Sequence, residues 1–373
     1  MAAPLASAGE DSLERFLKPC REACNAHIAS FWEGHAGERP ETPYPSTKTM
    51  RANARLFGAG KRYRYGIAIA GYRLLSGATP PRGFERAATW LEWYHLYTLF
   101  LDDIMDEDVR RRTFPSAWHT DARLYRGRDA ALPAIVFRTR RHRYGASQAI
   151  LDALRLRSFA ERAIEDAHDL DPGVRVSLLS ELTEVDLVVS DGQGLDIDFE
   201  AAAQIPEADY VRMSEAKTAR LYLGAAATAA VAAKASTEER EALEAYALRF
   251  AIAFQDRDDL LGAGVVRSRI GGSSEGDLRQ GKRTRLYVLA VQTLTGRDRS
   301  AFLRAYGRGP RTTKRDIATV RGLLRDHVLP IMESRITENQ QLAREALDRV
   351  PPRDLDAQRF LEALVDAQAT RVR

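Results

Sequence analysis

Two aspartate clusters are the residues of this chain best placed to do chemistry. The first is Asp102, Asp103 and Asp106 in LFLDDIMDEDVRRR; the second is Asp258 and Asp259 in FAIAFQDRDDLLG. Each stands at the end of an apolar run with helical spacing. A helix C-terminus carries partial negative charge, so acids crowded there need something positive nearby. Separate Lys and Arg clusters accompany them, and the combination reads as a metal–diphosphate site. Asp102 and Asp106, four apart, leave one helix face together, with Asp103 about 100° around. Such a pair suits Mg2+, which is usually bound by one or two carboxylates plus phosphate and water oxygens. An acidic helix end facing solvent is the plainer account of DDxxD alone. Arg110, Arg111 and Arg112 weigh against it by supplying fixed donors for phosphate oxygens just beyond the acids.

The second cluster repeats the arrangement, and about twenty residues on comes a glycine-flanked basic loop, Gly276-Asp277-Leu278-Arg279-Gln280-Gly281-Lys282-Arg283-Thr284. A third element, Gly58-Ala59-Gly60-Lys61-Arg62-Tyr63-Arg64, opens a helix. Backbone N–H groups at a helix N-terminus and two or three cations make an anion site. The spacing is not that of a nucleotide P-loop.

Helices must position all of this. Ala, Leu, Arg and Glu dominate, apolar residues recur at three- and four-residue spacing, and strand patterns are scarce. Ser236 to Glu239 forms a capping-box start. The helix from it carries Leu243, Tyr246, Phe250, Phe254, Asp258 and Leu261 on one stripe, where an acid is the anomaly. Breaks fall at 38–46, 76–83, after Thr113, at 169–173 and at 350–354. The expectation is an all-α chain of ten or more helices: an N-terminal helix and linker over 1–45, then one compact helical domain over 46–373. The Arg-rich stretch 122–143 reads as a long surface connection, or else a contact surface for a partner or phosphate.

The 373 residues are 45% hydrophobic and 29% charged, as in a globular protein with a real core. A net charge of +4 suits a small anionic substrate but is too weak to argue for nucleic acid. Cys20 and Cys24 lie four apart with no further cysteine to complete a zinc site, which fits two reduced thiols in the cytoplasm. The N-terminus lacks the pattern of a signal peptide. The most apolar stretch, 221–233, is too short to span a bilayer and reads as a small-residue helix packed inside a bundle.

In combination and order, these motifs resemble the trans-isoprenyl diphosphate synthases, or polyprenyl synthetases, from about Gly58 to the C-terminal helix. GAGKRYR is similar to that family's GGKRxRP, and EWYHLYTLFLDDIMDEDVRRRTFP to its ExxHxxxLxxDDxxDxxxxRRGxP. YGASQAILDAL, GQGLDID and EAKTARLY resemble its following helix, its GQxxD segment and its KTA segment. FQDRDDLLG and GDLRQGKRT resemble FQxxDDxLD and DxxxGKRT. The resemblance implies a helical bundle of the isoprenoid synthase type, with a central cavity and the two Asp-rich motifs at its rim. It implies a homodimeric, Mg2+-dependent prenyltransferase joining isopentenyl diphosphate to an allylic diphosphate.

Residue by residue, the resemblance implies that Asp102 and Asp106 bind Mg2+ on the allylic diphosphate, with Asp103 supporting them. Asp258 would hold a further Mg2+. Arg111, Lys217 and Lys282 would contact the allylic diphosphate; Lys61, Arg64, His95 and Arg112 would hold isopentenyl diphosphate. Thr218 and Gln255 would line the space where the allylic cation forms. The chemistry suits such a site. Ionising an allylic diphosphate requires stabilising the departing negative charge, and the cation must meet an alkene before water.

Four positions depart from the family pattern. Thr113 replaces the glycine of RRG, and Gly262 the third aspartate of the second motif. Gly272-Ser273 replaces a GK dipeptide, whose lysine Arg267 or Arg269 would have to replace. Tyr65 stands in place of a proline and reads as neutral. Tyr97, five residues before the first motif, lies about 7.5 Å below Asp102 along a helix. A straight helix aims Thr98 more nearly beneath Asp102, so it is the resemblance that points Tyr97 into the tunnel as its floor. That implies geranylgeranyl diphosphate as product, with farnesyl diphosphate next; a core role for Tyr97 is the alternative. A class I terpene cyclase and a non-catalytic partner subunit are the competing readings. FQDRDD, GKRYR and the arginine pair favour elongation over the cyclase.

Overall fold

The computed structural model describes residues 6–37, 45–111, 114–132, 136–202, 204–266 and 275–370. Arg112, Thr113, Arg267, Arg269, Gly272 and Ser273 lie outside these residues. The architecture is all-α, as expected. The chain begins with α1 (Ala6–Gly37), α2 (Pro45–Asn53), α3 (Tyr63–Ser76), α4 (Arg82–Ala88) and α5 (Trp90–Met105). A two-residue antiparallel pairing of β1 (Arg110–Arg111) with β2 (Phe114–Pro115) interrupts it. Then come α6 (Ala117–Leu124), α7 (Arg140–Glu165), α8 (Pro172–Ala201), α9 (Glu207–Ser214), α10 (Arg220–Ala233) and α11 (Thr237–Gly262). The last are α12 (Gly276–Gln280), α13 (Arg285–Thr293), α14 (Gly296–Ala305), α15 (Lys314–Leu323), α16 (Leu329–Leu347) and α17 (Leu355–Thr370). Among the described residues no helix is long and apolar enough to cross a membrane.

The chain falls into two compact units. One comprises Arg15–Ile69 and Ala78–Leu182; the other comprises Met1–Glu14, Ala70–Gly77 and Thr183–Arg373.

In the first of these units, α5 and α6 both pack along α7, and α2 lies against α6 and α7. Its core is aromatic. Trp93 of α5 meets Phe57 and Phe159 edge-on, each at 5.4 Å between centroids, and Phe31 lies 5.5 Å from Trp93. Such pairs contribute roughly 0.5–1.5 kcal/mol each beyond the area they bury. The Arg-rich stretch splits between α6, α7 and an exposed connection in which Ala131 bridges to Thr139.

In the other unit, α11 runs along α16 and α10, and Tyr246 Oη donates to Leu361 O of α17 at 2.8 Å. The small-residue run forms α10, buried from Gly224 to Ala230, and the capping box at Ser236 and Glu239 starts α11. Between α9 and α10, residues Glu215–Ala219 form one π-helical turn. Gly192 of α8 permits the approach to it, because a Cβ there would meet Lys217 N at 2.4 Å.

Candidate active site

The first acid segment closes α5 with a Schellman arrangement. Asp108 N–H donates to Asp103 O at 2.9 Å and Glu107 N–H to Ile104 O at 3.2 Å, with Glu107 at φ 53 in the left-handed position. Trp118 Nε1 donates to both Asp103 O and Asp108 O, pinning this end to α6. The chain then returns through β1, which delivers Arg111 to the acids. Its Nε and Nη2 reach Asp103 Oδ1 at 2.8 and 2.7 Å, and Nη2 reaches Asp102 Oδ2 at 3.1 Å. Asp102 and Asp106 are half-buried, whereas Asp103 is buried with its Oδ2 lacking a hydrogen-bond partner among the described residues. Burial pushes the Asp103 carboxyl up to about 6, and Arg111 opposes that rise.

On the same helix, His95 and Thr98 are half-buried, and Thr98 Oγ1 donates back to His95 O at 2.9 Å. Tyr97 is half-buried with its ring 5.2 Å from that of fully buried Tyr94. The basic turn precedes α3, which opens at Tyr63. Lys61 is exposed, 5.6 Å from the Tyr63 ring, and Arg64 is half-buried. Arg62 is different: it is buried and ion-paired to Glu92 Oε2 at 3.0 Å. Tyr65 N–H donates to Glu92 Oε1 at 3.3 Å, so a position that read as neutral uses a hydrogen that proline lacks.

In the other unit, the π turn carries Lys217 and Thr218. Lys217 Nζ is 2.5 Å from Asp196 Oδ2 of α8, and Thr218 Oγ1 donates to Gln255 Oε1 of α11 at 3.1 Å. Gln255 Nε2 passes the chain on to Asp259 Oδ1 at 2.8 Å. Asp259 Oδ2 accepts from Tyr210 Oη at 3.1 Å and from Arg285 N at 3.2 Å, while Arg285 Nη1 reaches Asp256 Oδ2 at 2.8 Å. Asp258, expected on the buried stripe, is half-buried; Asp256 and Asp259 are the buried acids. Burial pushes Asp259 up to about 7 and Asp256 up to about 6. Lys282 follows Gly281, whose φ of 79 and contact with Gly307 exclude a side chain, and Tyr306 Oη donates to Lys282 O.

The structure therefore joins Arg111 to Asp102 and Asp103 in one unit, and in the other it joins Thr218 and Gln255 to Asp259, while Lys217 pairs separately with Asp196. Arg112 lies outside the described residues. Sequence reasoning missed Arg62–Glu92, Asp256–Arg285 and Tyr210, because polar residues at core positions are visible only once their partners are known. Among the described residues no three His, Cys, Asp or Glu side chains form a metal-holding set by themselves. The half-buried carboxylates of Asp102 and Asp106, one helical turn apart, offer the hard oxygens that Mg2+ takes alongside non-protein ligands.

The model of the polyprenyl synthetase family matches residues 47–322. The chain belongs to that family. The class of enzyme that goes with it is a prenyltransferase. Among relatives of this synthetase, the geranylfarnesyl diphosphate synthase of Aeropyrum pernix is 30% identical over 317 residues, covering 84% of this chain and 91% of that one. The geranylgeranyl diphosphate synthase of Saccharolobus solfataricus is 28% identical, covering 85% and 89%. A geranylgeranyl pyrophosphate synthase of Corynebacterium glutamicum, solved with isoprenyl diphosphate and magnesium, superposes with a TM-score of 0.82 at 26% identity, covering 96% of this chain and 99% of its own.

Proposed function

We propose that this polyprenyl synthetase condenses isopentenyl diphosphate with an allylic diphosphate to give geranylgeranyl diphosphate, working with Mg2+ as a cytoplasmic homodimer. Residues 46–373 act as one catalytic domain. The observation that carries the reading is the end of α5, where Arg111 holds Asp102 and Asp103 beside the half-buried Asp106. Carboxylates so spaced, with a planar cation against them, suit a metal-bound diphosphate.

Asp102, Asp106 and Asp258 would hold Mg2+, whose chemistry is to take up charge on the departing diphosphate. Arg111, Lys217 and Lys282 bind the same diphosphate. Lys61, Arg64, His95 and Arg112 hold isopentenyl diphosphate with its alkene toward the allylic carbon. As the allylic C–O bond breaks, its electron pair leaves with the diphosphate. The Thr218–Gln255 pair presents oxygen dipoles to the cation without supplying a nucleophile strong enough to trap it. The alkene electrons form the new C–C bond, and a proton passes to the released diphosphate. Tyr97, backed by Tyr94, forms the floor that stops growth at twenty carbons, with farnesyl diphosphate the product if the floor sits higher.

Exposed Ile150, Leu151 and Leu154 on α7, and exposed Leu187, Leu195 and Ile197 on α8, support the homodimer. Incubation with labelled isopentenyl diphosphate and each of dimethylallyl, geranyl and farnesyl diphosphates tests the class. Label in prenyl alcohols released only by phosphatase supports elongation. Hydrocarbons formed without isopentenyl incorporation mean a cyclase, and silence with every primer means a non-catalytic partner subunit.

A further inference from the structure

We infer that the buried Arg62–Glu92 pair is the positioning element of the isopentenyl diphosphate subsite, holding Lys61 and Arg64 in register with His95. This rests on the assignment of those three residues given above. Arg62 stands inside the basic run and by sequence counts as one more phosphate donor. The structure gives it another task. It is 3% exposed, while its neighbour Lys61 is open to solvent. Each nitrogen of its guanidinium is used inside the protein: Nε donates to Asn25 Oδ1 of α1 at 3.0 Å, Nη1 to Glu92 Oε2 at 3.0 Å, and Nη2 to Phe57 O.

The backbone there is unusual as well. Arg62 has φ 60, one of three left-handed non-glycine residues among those described. That conformation is unfavourable for a residue with a side chain and persists where surrounding contacts over-determine it. Here it turns the chain from the 58–61 loop into α3, fixing Lys61 and Arg64 on either side of one held point.

Glu92 completes the device from the other helix. It is 3% exposed and lies three residues, less than one turn, before His95 on α5. One carboxylate oxygen holds Arg62 and the other accepts the N–H of Tyr65 in the first turn of α3, where a negative group is favoured. A proline at 65 has no hydrogen to offer, so Tyr65 extends the grip. A single carboxylate thus ties both sides of the basic turn to the helix that carries the histidine.

The experiment is steady-state kinetics on Arg62→Gly, Arg62→Lys and Glu92→Gln, with Tm measured on each. Glycine adopts φ 60 freely, so Arg62→Gly removes the guanidinium and leaves the turn. The expected result is an isopentenyl KM raised about 10-fold or more, with the allylic KM within about two-fold and Arg62→Lys intermediate. Should a single variant fail to fold, the double Arg62→Met/Glu92→Leu removes both buried charges at once and gives the same reading. Unchanged KM values, or both rising together, would overturn the inference. Lys61→Ala and Arg64→Ala run alongside. If they leave the isopentenyl KM unchanged, the subsite assignment fails and takes the inference with it. If they raise it and Arg62→Gly does not, the positioning role alone is refuted.

Discussion

Arg111 Nη2 lies 3.1 Å from Asp102 Oδ2 while the same guanidinium holds buried Asp103. One cation thus offsets two acids at a helix end that disfavours both. Asp102→Asn and Asp106→Asn are expected to lower kcat/KM by about 10²-fold or more, as for other charge-stabilising groups, with little change in Tm. Arg111→Met is expected to lower both, the stability by about 1–3 kcal/mol, because Asp103 loses its partner. Kinetics and thermal melts on the three variants separate these effects. A chelator should abolish wild-type turnover and added Mg2+ restore it.

Product length is expected to follow Tyr97. With its ring 5.2 Å from that of Tyr94, it has an aromatic backstop. Tyr97→Ala should lengthen the prenyl chain by at least one five-carbon unit while leaving incorporation of isopentenyl diphosphate intact. Chromatography of the dephosphorylated products decides it, and an unchanged chain length refutes the floor.

Stability should depend on Asp256 although it is not assigned to the chemistry. Its pairing with Arg285 is buried on both sides, at side-chain exposures of 2% and 3%. Asp256→Ala leaves a buried guanidinium and should cost about 3–5 kcal/mol. Asp256→Leu with Arg285→Leu should cost much less, since apolar replacement of a whole buried pair is often near neutral. Denaturant unfolding of the two variants makes the comparison.

A second buried acid pair sets a pH dependence. Asp121 of α6 and Asp152 of α7 are both fully buried; burial, then the Asp152 carboxylate, pushes Asp121 up to about 8, and burial pushes Asp152 up to about 6. Asn53, Arg55, Thr49, Arg155 and Tyr144 are the polar and charged groups around them. The folded chain keeps protons that the unfolded chain releases near pH 4, so this stability is complete below pH 4 and lost as pH rises to about 8. Tm should therefore fall between pH 5.5 and 8.5 as this contribution is lost. Asp121→Asn should flatten that slope, by about 1 kcal/mol or more at pH 8. A slope unchanged in Asp121→Asn would contradict the assignment.

The all-α fold was legible because apolar spacing in α5 and α11 is helical and the capping box at Ser236 is local. The acids at both helix ends were legible for the same reason, standing where an apolar stripe stops. What could not be read were contacts between residues far apart in sequence. By sequence Arg62 is one more cation of the anion-binding turn; only the fold sets Glu92, thirty residues on, beside it. Asp256 and Asp259 are buried because Arg285 and Tyr210 meet them, which helical periodicity within α11 does not encode. The π turn that carries Lys217 depends on the close passage of Gly192, again a tertiary fact.

The proposed reaction elongates an allylic primer to twenty carbons. The most direct measurement is mass spectrometry of the products from dimethylallyl diphosphate, isopentenyl diphosphate and Mg2+, taken before and after phosphatase. Geranylgeranyl diphosphate is expected before treatment and geranylgeraniol only after it. Farnesyl diphosphate as the end product would contradict the assigned floor, and cyclic or hydrocarbon products free of isopentenyl carbon would contradict elongation itself.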